Sequence, residues 1–200
     1  MRASNLGLKW EDDLSTDKMS FQDGRNQIAQ MAYSGNLDGS KAGIVWIDSD
    51  IVPLPDSIVL LLLSAQFYDA EFVSGVYHQK GGDCKPIFYV YEKETDLFKM
   101  AEKYSPNLFA KADGCGFGFC WTSMKTIRAI AGSKAFNTNE GWFPDKRGIG
   151  SHSEDLNFCL QAMAAGIQLY VNTSLQLGHS GDPKIYGRED FLKPKIVRVI

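Results

Sequence analysis

Short apolar runs alternate along this chain with segments whose apolar residues recur at helical spacing. Residues 24–32 (GRNQIAQMA) place Ile28, Met31 and Ala32 on one face, and Gly35 can end the helix. Residues 42–48 (AGIVWID) form a short β-branched run that predicts a buried strand, parallel rather than at a sheet edge. Pro53 and Pro55 break it, and Pro55 and Asp56 suit the first turn of a helix reaching Phe67. Strands are expected at 71–77 (EFVSGVY), 86–91 (PIFYVY) and 117–122 (FGFCWT), with a charged, glycine-rich loop at 78–85. A helix follows from Ser123 to Ala131 and stops at Gly132. Residues 133–152 carry no period, so they predict a long loop of the functional or mobile kind. Ser153 then caps a helix whose stripe is Leu156, Cys159, Leu160 and Met163, closed by Gly166. Strands at 167–171 and 175–179 and a terminal KIVRVI complete the pattern. The expected fold class is therefore α/β, with a mostly parallel central sheet flanked by helices.

Composition narrows the classes. At 200 residues the chain suits one domain with a core that needs no staples, here read as a polar segment 1–23 followed by a single unit over 24–200. The balance of 21 basic against 24 acidic residues leaves no electrostatic footprint for nucleic acid. An anionic ligand remains open, because a cation or a helix end can hold one. The longest apolar run, 58–63, is far short of the ~20 residues of a membrane span, so no transmembrane segment is expected. Cys84, Cys115, Cys120 and Cys159 are irregularly spaced and contain no CxxC, which suits reduced thiols in the cytoplasm.

Candidate chemistry concentrates in four places. Asp48 and Asp50 lie at the carboxyl end of the 42–48 strand, the edge at which open α/β sheets bind ligands. Strand alternation places both carboxylates on one side of Ser49, where a divalent cation relieves their repulsion and can bridge a diphosphate. Turn-forming aspartates give the same letters, but the apolar strand before and the proline-bounded helix after favour the ligand reading. Glu154 and Asp155 open a helix; two acids there suit its dipole without any function, yet the long approach loop points to a general base delivered beside an acceptor hydroxyl. His179, at a strand end between glycines, completes a nitrogen and carboxylate set with Asp48 and Asp50 that suits Mn²⁺ or Mg²⁺. Gly114, Gly116 and Gly118 alternate and permit close backbone approach to a ligand, but they do not form the GxGxxG of a dinucleotide site. His78 and His152 fall in loops and read as solvated.

In this order the pieces resemble a GT-A type glycosyltransferase, a Rossmann-like fold, most similar to the small family-2-like, DxD-containing enzymes of viral and microbial genomes. The resemblance runs from about Gly24 to Gly181 through GRN (24–26), the DxD strand, SGVY (74–77), GCGF (114–117), the aromatic pair Trp142-Phe143, the ED helix and VNTSLQLGH (171–179). It implies a nucleoside-diphosphate sugar donor, a divalent metal (Mn²⁺ or Mg²⁺), and a glycan, protein or small-molecule acceptor. Asp50 would then bind the metal directly. Asp48 would reach it through water or touch the donor, and His179 would be the last metal ligand. Asp155 would be the catalytic base of an inverting enzyme, with Glu154 positioning the acceptor. Arg25, Asp48, Gly114, Gly116 and Trp142 would bind substrate, with Gly114 and Gly116 lining the donor-sugar pocket. Such folds usually begin with a nucleotide-binding strand, which 1–23 does not show; KIVRVI could fill its place.

Two rivals stand beside this reading. A truncated or degenerate domain of the same kind would bind nucleotide or a partner without turnover. A haloacid-dehalogenase-like phosphatase would use Asp48 as nucleophile and Asp50 as acid and base. The late acidic pair it also requires is poorly matched in spacing by Asp182 and Asp190.

Overall fold

The strand Phe72–Val76 is buried at every position, and its side chains explain the layering. Phe72 and Val76 belong to an apolar cluster on one face of the sheet, Val73 and Tyr77 to a second cluster on the other. Period-two alternation thus feeds two cores at once. The computed structural model describes residues 19–35, 42–146, 152–181 and 184–188. In chain order the elements are α1 (Phe21–Gly35), β1 (Gly43–Ile47), β2 (Ile51–Val52), α2 (Ser57–Phe67), β3 (Phe72–Val76), β4 (Phe88–Glu92), β5 (Leu97–Met100) and β6 (Phe109–Ala112). They continue with β7 (Gly114–Cys115), β8 (Phe119–Ser123), α3 (Met124–Ala131), α4 (Glu154–Ala164), β9 (Leu169–Gln176), β10 (Gly178–Gly181) and β11 (Lys184–Tyr186).

The central sheet has the order β1-β8-β3-β9-β6, and smaller sheets β11-β10-β2 and β5-β4-β7 adjoin it. Its direction corrects the sequence expectation. β1 with β8, β8 with β3, and β9 with β6 are antiparallel; only β3 with β9 is parallel. The sheet is mixed and mostly antiparallel, not the mostly parallel, Rossmann-like core expected. β1 moreover stands at one end of it rather than inside. Two-sided burial misled the reading. Runs that are apolar throughout arise wherever helices cover both faces, and parallel pairing is only the commonest way to obtain that. Here α1, α3 and α4 share the core with Trp46, Phe72, Phe117, Phe143 and Phe158, while α2 closes the opposite face through Leu61 and Ala65.

Local chemistry fixes the elements around the site. Ser123 caps α3, its Oγ accepting from the Thr126 N–H at 3.0 Å. Gly43 starts β1 because a Cβ there would meet Trp121 Nε1 at 2.7 Å and the Thr122 carbonyl closer still. Trp46 donates its indole N–H to Thr122 Oγ1 at 2.9 Å, locking β1 onto β8. The two strands expected at 167–171 and 175–179 are instead β9, eight residues long, with a shift in register opposite Ser74 to Val76, followed by β10. The helix expected from Gly24 begins three residues earlier, at Phe21. Residues 1–18 and KIVRVI lie outside the described residues, and with them the expected missing first strand.

Over 133–146 the long loop is pinned rather than loose. Asn26 on α1 accepts the Phe143 N–H at 2.9 Å and donates to the Glu140 and Phe143 carbonyls, both at 3.2 Å. From α4, Asn157 donates to the Pro144 carbonyl at 2.8 Å and Gln161 to the Trp142 carbonyl at 2.8 Å. Gly141 lies at φ +73°, where an added Cβ would strike the Asn26 amide. This loop is therefore a wall fixed by three amides, which corrects the mobile reading for its described part.

Candidate active site

Two polar clusters meet where β1 ends. β1 stops at Ile47, and the Ile51 N–H donates to the Asp48 carbonyl at 3.1 Å, closing a turn over Ser49 and Asp50. The turn replaces strand alternation, so Asp48 and Asp50 acquire different partners. This corrects the expectation that both project together from one strand face.

The first cluster gathers on Arg25. Only 7% of this residue is exposed, and its guanidinium lies 5.4–5.9 Å from the ring centroids of Phe21, Phe117 and Phe143. Nη2 donates to both Asp48 oxygens at 3.1 and 3.2 Å. Nη1 donates to Glu154 Oε1 at 3.1 Å and to Asp155 Oδ1. Burial works against the Arg25 charge, but Asp155, Asp48 and Glu154 outweigh it and hold its pKa above the ordinary value. Three carboxylates on one cation leave a surplus of negative charge. Burial above all, with help from Glu154 and Asp48, pushes the Asp155 carboxyl up to about 7, against the opposing effect of Arg25 and the Phe117 N–H. That N–H reaches Asp155 Oδ2 at 3.2 Å. A carboxylate poised near neutrality has the affinity a general base needs.

The second cluster is Asp50, Lys80 and His179. β2 pairs with β10 so that Ile51 faces His179, and the Ser180 N–H donates to the Asp50 carbonyl at 2.7 Å. His179 Nε2 stands 3.4 Å from Asp50 Oδ2, and Lys80 Nζ 2.5 Å from the same oxygen. Burial raises the Asp50 carboxyl, yet Lys80 and His179 outweigh it and keep it below its usual range. His179 Nδ1 lies 2.6 Å from the His78 carbonyl oxygen, which can only accept. Nδ1 therefore carries a proton, and Nε2 faces Asp50, the orientation from which a histidine could ligate a cation.

This donor pair fits a hard divalent cation. Two ligands at about 2.1 Å and a right angle stand about 3.0 Å apart, and the observed separation needs only a wider angle. Asp50 and His179 would hold such an ion, and Asp48, bound to Arg25, does not join them. Among the described residues no group of three or more His, Cys, Asp or Glu side chains is arranged to hold a metal. Phosphate oxygens and water would complete the shell, as is common for Mg²⁺.

Tyr77 joins the two clusters. Its ring stands edge-on to His179 at 5.4 Å, and its Oη accepts the Gly118 N–H at 2.9 Å. Gly118 in turn accepts the Asp48 N–H at 3.0 Å. The alternating glycines have packing causes. A Cβ on Gly118 would lie 2.6 Å from Tyr77 Cζ, one on Gly116 would overlap Tyr77 Oη, and one on Gly114 would lie 2.8 Å from Phe98 Cε1. Gly114 and Gly116 thus make room for Phe98 and Tyr77, a packing cause that accounts for both glycines without a ligand.

Trp142 has a packing cause too. It is 3% exposed, donates its indole N–H to the Ile127 carbonyl at 2.9 Å and packs on Tyr33 and Phe136, so it is a core residue. His78 is fully buried, with Nε2 3.2 Å from Tyr104 Oη, and the His152 ring stands edge-on to Phe98; neither is a solvated loop residue. Asp182 and Asp190 lie outside the described residues. All four cysteines are buried. No helix among the described residues is long and apolar enough to cross a membrane.

Sequence reasoning missed Lys80 and assigned no role to Tyr77 and Asn26 beyond their places in SGVY and GRN. The glycine pair after Lys80 marked only a turn, and Tyr77 read as the last letter of a strand. Asn26 carried a signal in its neighbour Arg25, since two polar residues on the inner face of an amphipathic helix need buried partners.

No family model matches the chain, and no curated protein matches it. In structure it is similar to A197 from STIV, known from a crystal structure, with a TM-score of 0.53 and 16% identity over 92% of this chain and 81% of that one. At that identity the likeness concerns the fold alone.

Proposed function

We propose that this protein transfers a glycosyl group from a nucleoside-diphosphate sugar to an acceptor hydroxyl with the help of Mn²⁺ or Mg²⁺. The observation that carries the reading is the meeting of Asp50 with His179, whose ring presents Nε2 toward the carboxylate 3.4 Å away. A carboxylate oxygen and an imidazole nitrogen brought this close would form an oxygen and nitrogen donor pair for a divalent cation. The cation would neutralise the charge that grows on the departing diphosphate.

The chain's own groups supply the rest. Arg25 fixes Asp48, Glu154 and Asp155 around one centre, so the base and the first acid of the DxD turn share a rigid frame. The acceptor oxygen attacks the anomeric carbon, whose bond to the diphosphate oxygen breaks with its electron pair leaving on the diphosphate. Asp155 takes the hydroxyl proton, and its pKa near 7 allows it to accept that proton and later release it. Glu154, in the same helical turn, positions the acceptor.

A thermal-shift panel of UDP-, GDP-, CMP- and dTDP-sugars with and without Mn²⁺ tests the reading, since ligands of the native state raise its apparent stability. At least one donor is expected to stabilise the protein only with Mn²⁺, and Asp50→Ala or His179→Ala to abolish that shift. No shift with any donor, or a shift indifferent to both substitutions, overturns it.

A further inference from the structure

Lys80 has no part in the reading above, yet it touches the central ligand of that site. It sits on the hairpin closed by the His78 to Pro86 bridge, with the Gln79 N–H donating to the Lys85 carbonyl at 2.9 Å. The tip beyond it is Gly81 and Gly82, at φ +73° and +55°. His78, at the base of the same hairpin, supplies the carbonyl that accepts from His179 Nδ1 and orients its ring. One short hairpin therefore orients the nitrogen ligand and places an ammonium on the oxygen ligand. Lys80 Nζ, 2.5 Å from Asp50 Oδ2, bonds the same oxygen that His179 Nε2 faces at 3.4 Å.

Resting on the metal-dependent reading of this site, we infer that Lys80 is an exchangeable counter-cation: it holds Asp50 until a divalent ion arrives, then turns to the diphosphate of the donor. Three observations carry this. The ammonium is bonded to the carboxylate oxygen that would ligate the ion, so the two cations compete for it. The pair is partly open, with side-chain exposures of 39% and 40%, and a pair in that setting is weak enough to exchange. The lysine stem runs across Gly181, whose hypothetical Cβ would lie 3.3 Å from Lys80 Cδ, so the missing side chain there is what gives the stem its path to Asp50. A displaced ammonium beside a metal-bound diphosphate makes a charge-assisted contact to phosphate oxygen. The exchange keeps an ionised Asp50 from standing unpaired at any stage.

Mn²⁺ titration of the full chain, followed by the EPR signal of free Mn²⁺, compares wild type with Lys80→Met, Lys80→Arg and Asp50→Ala. Lys80→Met is expected to bind Mn²⁺ roughly two- to fivefold more tightly, because it removes the competing pair. The same variant is expected to bind preformed Mn²⁺–pyrophosphate roughly tenfold or more weakly, because it loses the charged contact. Lys80→Arg keeps both wild-type values. A variant that merely loosened the fold would weaken both ligands, whereas the exchange moves them in opposite directions. Equal Mn²⁺ affinity in wild type and Lys80→Met, with Asp50→Ala still abolishing binding, overturns the role of Lys80 and leaves the metal reading standing. Absence of Mn²⁺ binding to the wild type overturns both.

Discussion

Replacing Arg25 by methionine removes the cation that bonds Asp48, Glu154 and Asp155 while keeping an apolar stem among Phe21, Phe117 and Phe143. Taking away one partner of a buried ion cluster costs roughly 3–5 kcal/mol, because the remaining charges stay buried and unpaired. For a domain of this size that is a fall in Tm of roughly 6–20 °C. The loss depends on pH in a direction that follows from Asp155. Its folded pKa of about 7 lies above its unfolded value, so the native state takes up the proton first. The stability this contributes is fully present below about pH 4 and disappears as pH rises to about 7, an effect on the order of 4 kcal/mol. Arg25 is the main force holding that carboxyl down, so its removal moves the folded pKa higher still. At pH 5.5 Asp155 is protonated with or without Arg25 and the penalty shrinks; at pH 8 it is largest. Urea denaturation of Arg25→Met and wild type at both pH values measures it. A difference in stability that is the same at pH 5.5 and 8, or a Tm within ~2 °C of wild type at pH 8, would refute the idea that this cluster is electrostatically coupled.

Two further outcomes separate chemistry from packing. Asp155→Asn is expected to leave Mn²⁺-dependent donor binding intact and to cut transfer roughly 10²–10⁴-fold, as loss of a general base does; wild-type turnover in that variant removes Asp155 from the reaction. Trp142→Ala is expected to cost roughly 3–5 kcal/mol by denaturant titration with unchanged Mn²⁺ affinity, since its indole is buried against Ile127 and Phe136; a stable variant with impaired donor binding would return Trp142 to the ligand surface.

The helices were legible as elements but less so in their inner faces: Ser123 does cap α3, whereas α4 buries Phe158, Cys159 and Ala162 in place of the expected Leu156, Leu160 and Met163, and Ser153 makes no side-chain cap bond. β1, β3 and β8 were legible as apolar runs. β5 and β6 were not, because LFKM and FAKA are four residues each, half exposed, and set among charged residues. Strand direction was hidden for a different reason. A run such as FVSGV carries no polarity, and direction is set by how the intervening chain returns. Between β3 and β8 it returns through β4, β5, β6 and β7, so β8 enters the sheet from the opposite end.

The site followed the same division. Residue types that are costly to bury were identified from sequence alone, and Arg25, Asp48, Glu154 and Asp155 do come together, as do Asp50 and His179. What sequence misjudged is which acid belongs with which partner. Alternation treats Asp48 and Asp50 as equivalent, and the turn closed by Ile51 separates them, giving one to a buried guanidinium and the other to an exposed lysine and a histidine. A one-residue offset in a tight turn moves a side chain by several ångströms, about the whole distance between two functional centres. Glycines and aromatics show the converse. Gly114, Gly116 and Trp142 looked chemical because they are unusual in sequence, yet each answers to a neighbour in the core: Phe98, Tyr77 and Ile127. Unusual composition marks constraint, and only a contact shows whether the constraint comes from a ligand or from packing.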